Sequence, residues 1–274
     1  MIRKDVVSTV PRRTAVSGKR TMIAATTVAV VAAGITMLGI VPANAIANGE
    51  PVKDGKYRFS AKLTMTGIPV LGGGTRNSAC SGALVAPQWV ITAGHCFRDE
   101  NGVRVSRPVA ASTVATVGRT DLVTSPGGHD LEIVEVRQSA TADVALAKLA
   151  EPITDVKPLK VSSRAPKVGD VLRLTGYGSL TSTNPTPVTH LNTGQMEVES
   201  LREANLGVRG LAPRPDTTPC PYDSGGPFFR EFRWRAPELV AVVSNGPSCP
   251  HTGIETPART DNIADWIRDT TNGR

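Results

Sequence analysis

Between Tyr57 and Glu255 the chain is divided by Gly, Pro, Asn and Ser into many short, β-branched runs. Ala83-Leu84-Val85, Trp89-Val90-Ile91-Thr92 and Leu239-Val240-Ala241-Val242-Val243 are examples. Short strands separated by turn residues at this spacing predict antiparallel sandwiches or barrels, an all-β fold. The segment Leu131-Glu132-Ile133-Val134-Glu135-Val136 largely alternates apolar and acidic residues, the period-2 mark of a half-buried strand. A Pro/Lys-rich stretch from Lys157 to Pro166 reads as a linker between two halves. After Pro257, Ile263, Trp266 and Ile267 recur at i, i+3 and i+4 between Asp261 and Asp269, which predicts one short amphipathic helix closing the chain.

The first 45 residues obey a different pattern. Residues 1–20 carry Arg3, Lys4, Arg12, Arg13, Lys19 and Arg20 against Asp5 alone, a net charge of +5. From Thr21 to Val41 there are 21 residues without a charge, and Ala43-Asn44-Ala45 then supplies an A-x-A cleavage pattern. A basic, an apolar and a small-residue region in that order predict a secretory signal peptide over 1–45. An uncleaved signal anchor is the alternative, and the Arg12-Arg13 pair leaves twin-arginine export open. The whole chain has a net charge of +7, but the remaining 229 residues carry 25 basic and 23 acidic groups, only +2. The charge therefore gives little support to a nucleic-acid partner. At 40% hydrophobic and 20% charged residues, collagen-like, coiled-coil and wholly disordered chains are excluded.

Cys80, Cys96, Cys220 and Cys249 all follow the leader. An even count in an exported chain predicts two disulfides, for which three pairings exist. Local pairing would close the shortest loops. A zinc site is disfavoured, because no C-x2-C pair occurs and successive cysteines lie 16, 124 and 29 residues apart.

Three segments carry chemistry: Ile91-Thr92-Ala93-Gly94-His95-Cys96, Asp143-Val144-Ala145-Leu146-Ala147-Lys148-Leu149 and Cys220-Pro221-Tyr222-Asp223-Ser224-Gly225-Gly226-Pro227. They offer a histidine beside a cysteine, an aspartate before an apolar strand, and a serine in a glycine turn. Those are the parts of a base, an orienting acid and a nucleophile.

In these motifs and their order the sequence resembles the chymotrypsin-like, trypsin-type serine proteases, from Ile46 to the C-terminal helix. The resemblance implies two antiparallel six-stranded β-barrels, the first over about 46–158 and the second, with the helix, over about 166–274. It implies Ser224 as nucleophile, His95 as general base and then acid, and Asp143 as the residue that orients the imidazole. Gly176-Tyr177-Gly178 is similar to the element that opens the family's second barrel, and Cys80–Cys96 with Cys220–Cys249 fits its pairing. Ile46-Ala47-Asn48-Gly49 resembles the family's mature N-terminus, whose amine pairs with the acid before the nucleophile, here Asp223. Signal peptidase cutting at Ala45-Ile46 would create that amine without a separate zymogen step.

The main-chain N–H groups of Tyr222 and Ser224 match the family's oxyanion hole, but the family has Gly where Tyr222 stands. A tyrosine keeps the N–H yet does not freely adopt φ > 0, so a distorted hole is expected until substrate binds. Thr218 stands where trypsins carry the Asp that binds Arg or Lys. Ser244-Asn245-Gly246 is similar to the substrate-pairing strand, Gly253 is expected at the pocket wall and Glu255 near its floor. Glu255 would then serve as a substitute acid for a basic side chain, be neutralised by Arg259, or point to solvent. His129, His190 and His251 read as loop residues. The expectation is a secreted, extracellular, monomeric endopeptidase without cofactor or metal. Its partners would be protein or peptide substrates and a protein inhibitor, with no nucleic acid and the membrane met only during export. A catalytically impaired homologue acting as a binding protein, and an esterase, are the alternatives.

Overall fold

The computed structural model describes residues 46–273; the leader expected at 1–45 lies outside them. Six strands form a closed barrel: β2 (Ser60–Pro69), β3 (Thr75–Ala86), β4 (Trp89–Ala93), β5 (Ser112–Val117), β6 (His129–Gln138) and β7 (Val144–Leu149), in the order β2-β3-β4-β7-β6-β5. All neighbours are antiparallel, as hairpin connections between short strands require. In β2 the inward Leu63 and Met65 are buried, whereas Thr64 and Thr66 are exposed, which is the alternation a half-buried strand needs.

The second sheet has eight strands. β1 (Glu50–Pro51), β10 (Asn192–Leu201), β9 (Val171–Gly176), β12 (Pro227–Arg230), β13 (Glu238–Asn245) and β14 (Thr256–Arg259) follow one another across it. β11 (Leu206–Ala212) adds to β10, and β8 (Lys160–Val161) pairs parallel to β13. Isolated bridges Asn205–Ala258 and Val208–Glu255 bring β11 back beside β14, so β9 to β14 curl round a core that includes Leu172, Leu174, Met196, Val198 and Phe228. Ile46 belongs to this core, and β1 pairs with β10, so the first described residues pack with the second sheet although they precede the first barrel in sequence.

The described residues are all-β with a single α-helix. That helix, α1 (Ala264–Thr271), follows a 3-10 turn at Asp261–Ile263 and buries Ile267. The linker stretch contributes β8 to the second sheet. Strict alternation fails in β6: a register shift between Ile133 and Glu135 turns both Ile133 and Val136 inward and leaves Val134 exposed. Both disulfides form locally, Cys80–Cys96 and Cys220–Cys249.

Candidate active site

β4 ends at Ala93, which lies opposite Val144 of β7, and a 3-10 turn over Gly94–Phe97 follows at once. That register sets Asp143 beside the turn that carries His95. The His95 main-chain N–H donates to Asp143 Oδ1 at 2.8 Å, and the His95 ring Nδ1 lies 2.7 Å from Oδ2. A carboxylate accepts, so Nδ1 carries the proton and Nε2 is left with a free lone pair. A Cβ on Gly94 would come within 3.0 Å of Asp143 Oδ1 and closer still to Gln138 and Arg104, so only glycine permits this approach.

Ser244 Oγ donates to Asp143 Oδ2 at 2.7 Å, and Arg104 Nη1 lies 3.7 Å from Oδ1 while donating to the Ala142 carbonyl. Burial alone would raise the Asp143 carboxyl. The hydrogen bonds and charge of His95, and the Ser244 hydroxyl, outweigh it and hold the group below the usual carboxylate value.

Ser224 sits in a turn tied by Asp223 N–H to Cys220 O and by Gly226 N–H to Asp223 O. Its carbonyl accepts from Ser81 N–H at 2.8 Å and lies 4.0 Å from Cys96 Sγ, one residue from His95. Gly225 has φ +83, and a Cβ there would collide with Thr92 and Ser81, which explains the glycine after the serine. Among the described residues, Ser224 Oγ and the N–H groups of Tyr222 and Ser224 have no hydrogen-bond partner, and no His95–Ser224 hydrogen bond is present. Catalytic hydrogen bonds of this kind are commonly loose before substrate binds. Tyr222 adopts φ +75, the left-handed region that glycine enters freely, within the tight Cys220–Gly226 turn.

Asp223 is fully buried. It accepts from Gly178 N–H at 2.8 Å, Cys220 N–H at 2.9 Å and the main-chain N–H of Ile46, itself fully buried. Any side chain at Gly176 or Gly178 would strike this carboxylate. Burial pushes the group up to about 7 against these hydrogen bonds and the charge of Lys62. Lys62, buried in β2, donates to the Val188 carbonyl at 3.3 Å.

A cavity of about 280 Å³ opens beside Ser224, between Cys220-Pro221 and Ser244-Asn245-Gly246. A second, of about 710 Å³, is lined by His95, Asp143 and Arg104 and shares the wall Ser244-Asn245 with the first. Glu255 is the only charged residue lining the smaller cavity. Two expectations fail. Thr218 is fully buried against Ala47 and does not line the cavity, and Gly253 does not line it either but donates its N–H to His251 Nδ1.

The sequence assigned no role to Arg104, Lys62 or His251. Of these, His251 is no free loop residue, because its Nε2 lies 2.7 Å from Glu255 Oε1. Among the described residues no group of three or more His, Cys, Asp or Glu is arranged to hold a metal.

A family model described as Trypsin matches residues 46–267. The thrombin-like enzyme acutin of Deinagkistrodon acutus is 30% identical over 211 residues, 69% of this chain and 83% of that protein. Protein C activator of Agkistrodon piscivorus leucostoma is 24% identical over 244 residues, 83% of this chain and 88% of that protein. Serine protease 56 of Mus musculus is 26% identical over 262 residues, and the match spans only 38% of its greater length.

Proposed function

We propose that this chain, which belongs to the trypsin family, is a secreted serine endopeptidase acting through Ser224, His95 and Asp143. What supports the reading is that the Asp143-bound His95 ring lines one cavity and Ser224, with its hydroxyl unengaged, lines a second that shares Ser244-Asn245 with the first. Ser224 Oγ attacks the scissile carbonyl while His95 Nε2 takes its proton. The Tyr222 and Ser224 N–H groups receive the oxyanion, where one such donor is worth about 3 kcal/mol. The imidazolium formed is stabilised by Asp143 and gives its proton to the leaving amine. A water, deprotonated in turn by His95, then hydrolyses the acyl-enzyme.

The reading includes removal of residues 1–45 during export, with cleavage at Ala45-Ile46. The Ile46 nitrogen would then be an α-amine facing Asp223. Ile46 has φ +62, a value that a β-branched side chain rarely tolerates. The torsion ceases to exist once residue 45 is gone, so cleavage relieves that strain and supplies the cation in one step. Two disulfides fit an oxidising, extracellular setting.

The test is hydrolysis of a mixed peptide library by the purified secreted protein, with products identified by mass. Internal cleavage lost on Ser224→Ala is expected; cleavage that survives the substitution, or none by a protein starting at Ile46, refutes the reading.

A further inference from the structure

The two ends of the second sheet differ. β9 ends at Gly176, β12 begins at Pro227 and β13 ends at Asn245, all toward Ser224. At the opposite end β9 begins at Val171, β12 ends at Arg230 and β13 begins at Glu238, with β8 alongside. Extended chain from Glu238 to Ser244 spans about 20 Å, so a partner docked at the far end leaves the cleft open. This end uses the Pro/Lys-rich stretch to which the proposed chemistry gives no role. Buried Arg230 donates to the Arg164 and Ala165 carbonyls at 3.2 and 3.0 Å and to Asp170 Oδ2 at 3.1 Å, which pins the turn bearing Arg164. Buried Glu238 holds Arg235 at 3.0 Å and Lys160 at 3.7 Å, and its other oxygen accepts from Ser162 Oγ. Lys160, Arg164 and Arg235 thus line a cavity of about 200 Å³ with Ser162 and Ser163, in which Glu238 offsets only one of the three cations. Beside it the β12–β13 loop leaves Trp234 85% exposed, with the Arg233 guanidinium 4.7 Å from the ring centroid. Val168, 66% exposed, stands on the next turn, which Asp170 ties to Arg230.

We propose that this end of the sheet is a peripheral docking surface for an anionic lipid membrane: a headgroup phosphodiester enters the cavity against Lys160, Arg164 and Arg235, while Trp234 and Val168 enter the boundary between headgroups and acyl chains. The indole has an apolar body and an N–H edge, the combination that sits at a lipid–water boundary. Basic side chains around it draw it to anionic headgroups. A bilayer presents phosphates in one plane with an apolar layer directly beneath, which matches cations held at fixed places beside side chains that stand out from the surface. It also receives such side chains singly, whereas a protein partner would need a matched apolar core. The sequence expectation was a membrane met only during export. Docking by this surface keeps the mature chain at a membrane with its cleft clear of it, and does not depend on the endopeptidase reading.

The experiment is co-sedimentation of the purified secreted protein with vesicles of phosphatidylcholine alone or mixed with phosphatidylglycerol, with tryptophan emission read in parallel. Binding to the mixed vesicles only is expected, strong at about 0.1 M salt and largely lost at about 1 M. The emission should shift to the blue on binding, and Trp234→Ala should abolish that shift although Trp89 and Trp266 remain. Trp234→Ala should weaken partitioning at least tenfold, and so should Lys160→Glu combined with Arg164→Glu. Circular dichroism of each variant should match that of the unaltered protein. No binding to the mixed vesicles, or binding that Trp234→Ala leaves unchanged, overturns the proposal. So does tighter binding to inorganic phosphate, an acidic peptide or single-stranded DNA than to the mixed vesicles, since the cations would then serve a soluble anion.

Discussion

Ser244, near the end of β13 in the second sheet, donates its hydroxyl to Asp143 Oδ2, the oxygen that also faces the His95 ring in the first barrel. Both sheets thus place a polar group on one carboxylate oxygen. Ser244→Ala removes a hydrogen bond to a charged group, worth about 1.5–3 kcal/mol at most, and so should lower kcat by roughly tenfold or more. The Ser244 main chain stays in place, so KM for a peptide substrate should change little. Steady-state kinetics check this, and an unchanged kcat would remove Ser244 from the positioning of Asp143.

Arg104 touches the same carboxylate from the other side, at 3.7 Å and partly exposed to solvent. Exposed pairs contribute about 0.2–1 kcal/mol, so Arg104→Leu should cost no more than about fivefold in kcat. A much larger loss would mean that its bond to the Ala142 carbonyl, rather than its charge, sets the position of Asp143.

Asp223 makes stability depend on whether Ile46 has a free amine. In a Ser224→Ala form that keeps Asn44-Ala45 ahead of Ile46, the carboxyl is raised from 3.8 to about 7 on folding. A raised folded value means stability that is full below the unfolded pKa and lost as pH climbs through the folded one. The loss between pH 4 and 7 should be about 3 kcal/mol. With the amine free, a cation faces the carboxylate, favours its charged form and cancels the loss. Urea unfolding of both forms at pH 5 and 7 checks this; equal pH dependence would show that the Ile46 amine does not reach Asp223.

Tyr222 occupies a backbone region that glycine enters freely and β-branched residues do not. Tyr222→Gly should therefore keep kcat within about threefold, because both supply the same N–H. Tyr222→Val should lower kcat at least tenfold, since the strained turn would swing that N–H away from the oxyanion. Equal kcat for the two variants would show that this backbone angle does not govern the chemistry.

What was legible in the sequence was local. The strand runs and the terminal helix around Ile267 each announce themselves within a few residues, whereas the pairing of cysteines 16 and 29 positions apart was singled out by the family resemblance. Asp143 was matched to His95 through the family resemblance, and the pairing of β4 with β7 is what brings them together. Arg104 and Lys62 could not be foreseen, because Arg104 reaches Asp143 from a loop 39 positions away and Lys62 acts on Asp223 across the two sheets. His251 was hidden for a different reason. Pro250, Thr252 and Gly253 around it are ordinary loop residues, and the bond to Glu255 exists only because Gly253 N–H fixes the ring. The bulge in β6 did leave a mark, the adjacent apolar pair Ile133-Val134 that interrupts the alternation where the register shifts.

The central claim is that Ser224, activated by His95, is a nucleophile. Treating the secreted protein with a fluorophosphonate and mapping the adduct by mass spectrometry tests it most directly. One adduct per molecule on Ser224, abolished by His95→Ala in a protein that remains folded, is predicted. A folded protein beginning at Ile46 that takes up no reagent, or is labelled at another residue, would contradict the account.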